Sequence, residues 1–146
     1  MNPKLLYKKD RIILGVVLFC SILAGIFIKA KMSSGLYSDL ITFLSILIGF
    51  QIAAFAILFT SPTVKALYET KDTENPYITL KHRLKNYYKF AFNLSLGSIL
   101  LIFILQMFSF EIIWLKRIII LTIITSNIFV HYRTVNFLYK IFIKDK

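Results

Sequence analysis

Four amides, Gln51, Asn93, Gln106 and Asn127, stand inside long apolar runs, together with hydroxyls at Ser95, Ser98, Thr122, Thr125 and Ser126. The chemistry open to them is hydrogen bonding, and an amide buried in an apolar medium without a partner is costly. Carboxylates are placed elsewhere. Asp39 and Glu111 fall at the ends of apolar runs, and Asp10, Glu69, Asp72, Glu74 and Asp145 lie in charged segments. No glycine-rich phosphate loop, His/Cys metal cluster, nucleophile motif or acid pair is present. These residues predict a protein that is not an enzyme and has no cofactor or metal. The lack of a carboxylate within an apolar run argues against a proton-coupled carrier. The single cysteine, Cys20 in "VVLFCSIL", excludes an internal disulfide and reads as a small packing residue.

The elements that carry these groups follow from composition. Of 146 residues, 58% are hydrophobic, too many for a soluble domain of this size with a polar skin. Runs approaching bilayer length, separated by charged punctuation, predict an all-α integral membrane protein, one bundle of four transmembrane helices. The helices are expected at about 12–28, 40–60, 90–110 and 112–130, with a polar loop over 61–89. The first run follows a basic start like a signal peptide, but no small-x-small cleavage site follows it, so it reads as a retained helix. Pro62 suits the first position of a new helix. Val64, Leu67 and Tyr68 suggest a short surface helix, and "TKDTENP" a turn. Trp114, Lys116 and Arg117 suit a membrane interface.

Charge sets the orientation. Fourteen of the 18 Lys and Arg residues fall in the N-terminal tail, the 61–89 loop and the C-terminal tail, and four in the other two connections. The positive-inside rule then puts both termini and the long loop in the cytoplasm. The expected location is a bacterial cytoplasmic (inner) membrane, crossed several times.

On the second helix, Thr42, Ser45, Gly49, Ala53, Ala56 and Thr60 are spaced 3, 4, 4, 3 and 4, so they share one face. Small side chains let helix backbones approach, which drives association in lipid, where apolar burial offers little. An intrachain contact is expected for this seam, with Ser21-x-x-x-Gly25 on the first helix as its mate. A subunit interface is the alternative. Gln51 lies about 200° from Gly49 around the helix and cannot serve the same seam. It implies a second neighbour, across an oligomer axis or along a hydrated path. Asn93, Ser98, Gln106 and Asn127 join Gln51 as a possible oligomer or pore face. The simpler reading of these groups is helix–helix hydrogen bonding, typically about 0.6 kcal/mol each.

The start of the third helix is basic: Lys81, His82, Arg83, Lys85 and Lys89. Lys81, Arg83, Lys85, Lys89 and Arg133 are candidates for docking anionic lipid headgroups, worth about 1 kcal/mol per cation, or an acidic cytoplasmic protein. Arg133 is expected to snorkel to phosphates. Reading of nucleic acid is not expected, because the patch sits against a negatively charged membrane. His131 has no charged partner visible in the sequence.

The helix "TFLSILIGFQIAAFAILFTSPTVKALYE", the basic loop and "FNLSLGSILLIFIL" together resemble a pattern in small four-helix membrane proteins of bacterial and phage defence, over about residues 42–105. The Kiwa membrane component KwaA is the nearer resemblance and the phage exclusion protein RexB the second. A KwaA-like chain implies an oligomeric membrane sensor or scaffold that docks a cytoplasmic effector. A RexB-like or holin-like chain implies a pore that depolarises the membrane. An accessory subunit of a transporter is the remaining alternative.

Overall fold

The computed structural model describes residues 7–27, 35–60, 69–72, 76–107 and 112–144. The expected surface helix around Val64, Leu67 and Tyr68 and the break at Pro62 lie outside the described residues. Among the described residues four long helices follow one another: α1 (Lys8–Phe27), α2 (Leu36–Thr60), α3 (Leu80–Met107) and α4 (Ile113–Lys144). Among the described residues there are no strands, only one isolated antiparallel bridge between Lys71 and Thr79. All four helices are long and apolar enough to cross a membrane.

All four run past one of their expected bounds, the third and fourth furthest. At 1.5 Å per residue, the 28 residues of α3 span about 42 Å and the 32 of α4 about 48 Å, against a hydrocarbon core of about 30 Å. The extra length lies at the basic end, where α3 begins and α4 finishes. It forms because its residues have something to bury. Leu84, Tyr87 and Tyr88 of α3 are buried, as are Val130 and Thr134 of α4. Thr79 caps α3, its hydroxyl accepting from the His82 backbone N–H at 3.4 Å.

The helices are arranged in an order unlike the chain order. α1 packs on α4, α4 on α3, and α3 on α2, while α1 and α2 do not approach each other among the described residues. Two apolar clusters hold α2, α3 and α4 together. One joins Leu40 and Leu44 to Ile102, Ile120 and Ile123; the other, nearer the basic end, joins Leu58 to Leu84 and Tyr88. Most outward side chains along the helices are also apolar, among them Phe19, Ile46, Phe50, Ile57, Leu100 and Ile128.

The faces of α2 are used differently from the expectation. Its inward seam is Leu40, Leu44, Leu47, Gln51, Ala54 and Leu58, a 4-3-4-3-4 spacing filled mostly by leucine. All six small residues, Thr42, Ser45, Gly49, Ala53, Ala56 and Thr60, are exposed. A Cβ built on Gly49 meets nothing within 4 Å. The intrachain contact expected of that seam is therefore absent. Leucine side chains are long enough to interlock with the side chains of α3 and gain van der Waals contact there, so the leucine face turns inward.

The Ser21–Gly25 pair finds another mate. A Cβ on Gly25 would lie 2.7 Å from the Ile118 backbone of α4, so only glycine permits this approach. Ser21 is hydrogen-bonded to Thr125 at 2.6 Å on the same face. Gly25→Val is expected to lower stability by about 1–3 kcal/mol, since the clash is with backbone and no side chain can swing clear. The thermal unfolding midpoint in detergent reads this. Gly49→Leu should leave that midpoint unchanged or raise it, because leucine is the better helix former and open space surrounds it.

Candidate functional site

The basic end holds the densest polar chemistry of the described residues. Asp10 enters from the first turn of α1, where the helix dipole favours an anion, and is almost fully buried. Its Oδ1 is paired with Arg133 Nη2 of α4, and its Oδ2 accepts from the Tyr87 hydroxyl of α3. A second pair stands beside it. Asp72, from the segment between α2 and α3, takes the Arg83 guanidinium on Oδ2, with Nε at 3.0 Å and Nη2 also bonded. Both partners of this pair are buried.

Tyr7 links the two pairs. Its hydroxyl donates to Asp72 Oδ1 at 2.6 Å, its backbone N–H donates to the Tyr87 hydroxyl at 3.3 Å, and its ring lies 4.4 Å from the Arg83 guanidinium carbon. Phe137 of α4 stacks on Tyr87 at 5.2 Å and meets Tyr7 edge-on. Asp72 is itself held by backbone bonds: its N–H donates to Ile78 O, and Leu80 N–H donates to Thr70 O, both at 2.9 Å. The cluster is charge-neutral, with two carboxylates and two guanidiniums. It ties α1, α3, α4 and the 69–80 segment together.

Arg83 and Arg133 were expected to face lipid or a partner. Arg83 is instead buried against Asp72, and Arg133 is engaged by Asp10, with its side chain 25% exposed. Lys85 and Lys89 are exposed and Lys81 half-buried, with its ammonium 5.2 Å from the Phe59 ring centroid. The outward charge of this end is thus one-sided. Lys8, Lys9, Arg11, Lys71, Lys85 and Lys89 are exposed, whereas Glu69 is the exposed carboxylate among the described residues there.

A second polar group lies mid-bundle. Asn127 of α4 accepts from Ser95 at 2.8 Å and donates to Ser98 at 2.9 Å, bridging two turns of α3. His131 Nδ1 donates to Asn127 O at 2.8 Å. The five residues expected on one oligomer or pore face do not converge. Ser98 and Asn127 bond to each other inside the bundle, Asn93 and Gln106 are exposed, and Gln51 is buried with no hydrogen bond to either amide atom. Within one chain these five groups do not line a common channel.

Asp10, Tyr7, Tyr87 and Asp72 escaped the sequence reading. One signal was available: Asp10 is a lone acid inside the basic stretch "KLLYKKDR", a position that invites a cationic partner. Among the described residues, no three His, Cys, Asp or Glu side chains come together to hold a metal. The arrangement can hold segments together and can present lysines, and it has no nucleophile–base pair. Comparison with protein-family models, curated proteins and solved structures gives no match to this chain.

Removing one partner of a buried pair leaves the other charge uncompensated. Asp72→Asn is expected to cost about 3–5 kcal/mol. Lys85→Gln, at an exposed site, should stay within about 0.5 kcal/mol. Denaturation of the purified chain in mixed micelles compares the two.

Proposed function

We propose that this chain is a non-enzymatic, multi-pass subunit of a bacterial inner membrane. Both termini and the basic end face the cytoplasm, where the subunit docks an acidic effector protein. It assembles with further copies of itself through the outward face of α2. A role in anti-phage defence rests on the resemblance of residues 42–105 to the KwaA pattern.

The observation that supports this most is the sorting of charge at the basic end. Asp10 and Asp72 are consumed by Arg133 and Arg83, so lysines dominate the surface that a partner meets. An anionic headgroup or an acidic surface patch is the matching chemistry. Apolar outward faces on all four helices suit a lipid surround, where water would make them an aggregation hazard. The exposed small-residue face of α2 suits close packing against a second helix. A conducting pore has less support, because Ser98 and Asn127 spend their hydrogen bonds within the chain.

Lys85→Glu with Lys89→Glu should abolish recovery of an acidic partner in a pull-down from the native host, while membrane insertion stays intact. Unchanged recovery would overturn the docking role, and prompt depolarisation on expressing the chain alone would favour the pore. Gly49→Leu should lower the detergent-solubilised mass toward that of a monomer without lowering the unfolding midpoint. A wild-type chain that is strictly monomeric would overturn the assembly.

A further inference from the structure

α2 is held differently from its neighbours. Side-chain hydrogen bonds tie α1 to α4 through Ser21 and Thr125, and α3 to α4 through Ser95, Ser98 and Asn127. The ion-pair cluster ties all three again at the basic end. Among the described residues, the hydroxyls of α2 bond only within their own helix, Ser45 to Ile41 O and Thr60 to Ala56 O and Ile57 O. Its other contacts are apolar or aromatic, including Phe55 edge-on to Tyr88 at 5.4 Å, together with the Lys81 ammonium of α3 5.2 Å from the Phe59 ring centroid. In lipid such contacts act through van der Waals packing, without the fixed donor–acceptor geometry of a hydrogen bond.

Yet the seam that α2 buries contains Gln51, 5% exposed, with neither amide atom hydrogen-bonded. Its level in the bundle follows from register. Leu44 clusters with Ile102, and Leu58 with Tyr88, so α2 and α3 run antiparallel. Seven residues on from Leu44 is Gln51, and seven back from Ile102 is Ser95. Gln51 therefore lies at the level of the Ser95–Asn127 cluster. That cluster retains acceptor capacity: Ser95 Oγ donates to Asn127 but accepts no hydrogen bond, and Asn127 Oδ1 accepts only one. An unused donor on α2 and unused lone pairs on α3 and α4 share one layer.

We propose that α2 has two seatings on the α1–α3–α4 unit. In the first, described here, the leucines are packed and Gln51 is unbonded. In the second, reached by turning α2 about its axis, the Gln51 amide donates to Ser95 Oγ or Asn127 Oδ1. The first keeps its apolar packing and leaves a buried amide unsatisfied. The second gains a hydrogen bond and gives up part of the leucine fit. Among the described residues no hydrogen bond from α2 to its neighbours opposes the turn, and the polar contact it must carry along or break is that of the Lys81 ammonium with the Phe59 ring. The turn also changes which part of the Gly49–Ala53 face points outward, so under the assembly reading above it would regulate assembly; the two seatings themselves do not depend on that reading.

Spin-label distance measurements on the full chain in bilayers test this, in a Cys20→Ser background. Labels at the exposed positions Phe50 of α2 and Ile128 of α4 are expected to give two distances. Labels at Phe19 of α1 and Ile128 are expected to give one. Gln51→Leu, which keeps the seam apolar and helical, should abolish the second α2–α4 distance, and Ser95→Ala should diminish it. A single α2–α4 distance in the unsubstituted chain would overturn the proposal. So would two distances whose populations Gln51→Leu leaves unchanged.

Discussion

Taking a carboxylate out of water costs several kcal/mol unless a cation and further hydrogen bonds meet it. The basic end of this protein satisfies that condition twice, and much else follows from it. Asp10 can be buried only where Arg133 and Tyr87 converge, which brings the start of α1, the first third of α3 and the second half of α4 to one place. Asp72 can be buried only beneath Arg83 and Tyr7, which holds residues 69–72 and 76–80 against the bundle. Because Tyr7 and Tyr87 bond to each other, the two conditions are not independent. The extensions of α3 and α4 beyond bilayer length acquire a buried interior through this cluster and the aromatic rings around it. The same pairing withdraws two acids from the surface, so a structural requirement also shapes what the outside presents.

Away from the basic end the governing constraint changes from charge to the backbone. Gly25 lets α1 lie against Ile118, and that approach brings Ser21 within hydrogen-bonding distance of Thr125. Asn127 supplies both a donor and an acceptor to α3, so one amide fixes the level of α3 against α4. These contacts make a polar belt across three helices. α2 stands outside that belt, attached through leucines and phenylalanines, with its own amide unused. Hydrogen bonds and ion pairs therefore fasten α1, α3 and α4 to one another, whereas α2 is fastened by side-chain packing.

Several of these features were legible in the residues. The four apolar helices follow from the length of the runs, and the basic end from the distribution of lysine and arginine. The opposition of Gln51 and Gly49 around α2 follows from a 3.6-residue turn. The direction in which those faces point did not follow. The small-residue spacing and the leucine spacing on α2 are both regular, and choosing between them requires knowing what α3 and α4 offer in return. The positions of Arg83 and Arg133 were hidden for a related reason. Eleven residues separate Asp72 from Arg83, and 123 separate Asp10 from Arg133. A pair across such distances leaves no periodic trace along the chain.

By itself, then, the sequence determined what is local or additive: helix periodicity, apolar run length and charge balance. Tertiary structure alone decided which helix is neighbour to which, which face of α2 is inside, and which cations are spent within the protein. These outcomes depend on competition between faces for the same partners. Leucines outcompete small residues for the interior of α2, and two arginines are drawn inward by two acids that must not be buried alone. Competition of that kind is resolved only when all the helices are present together.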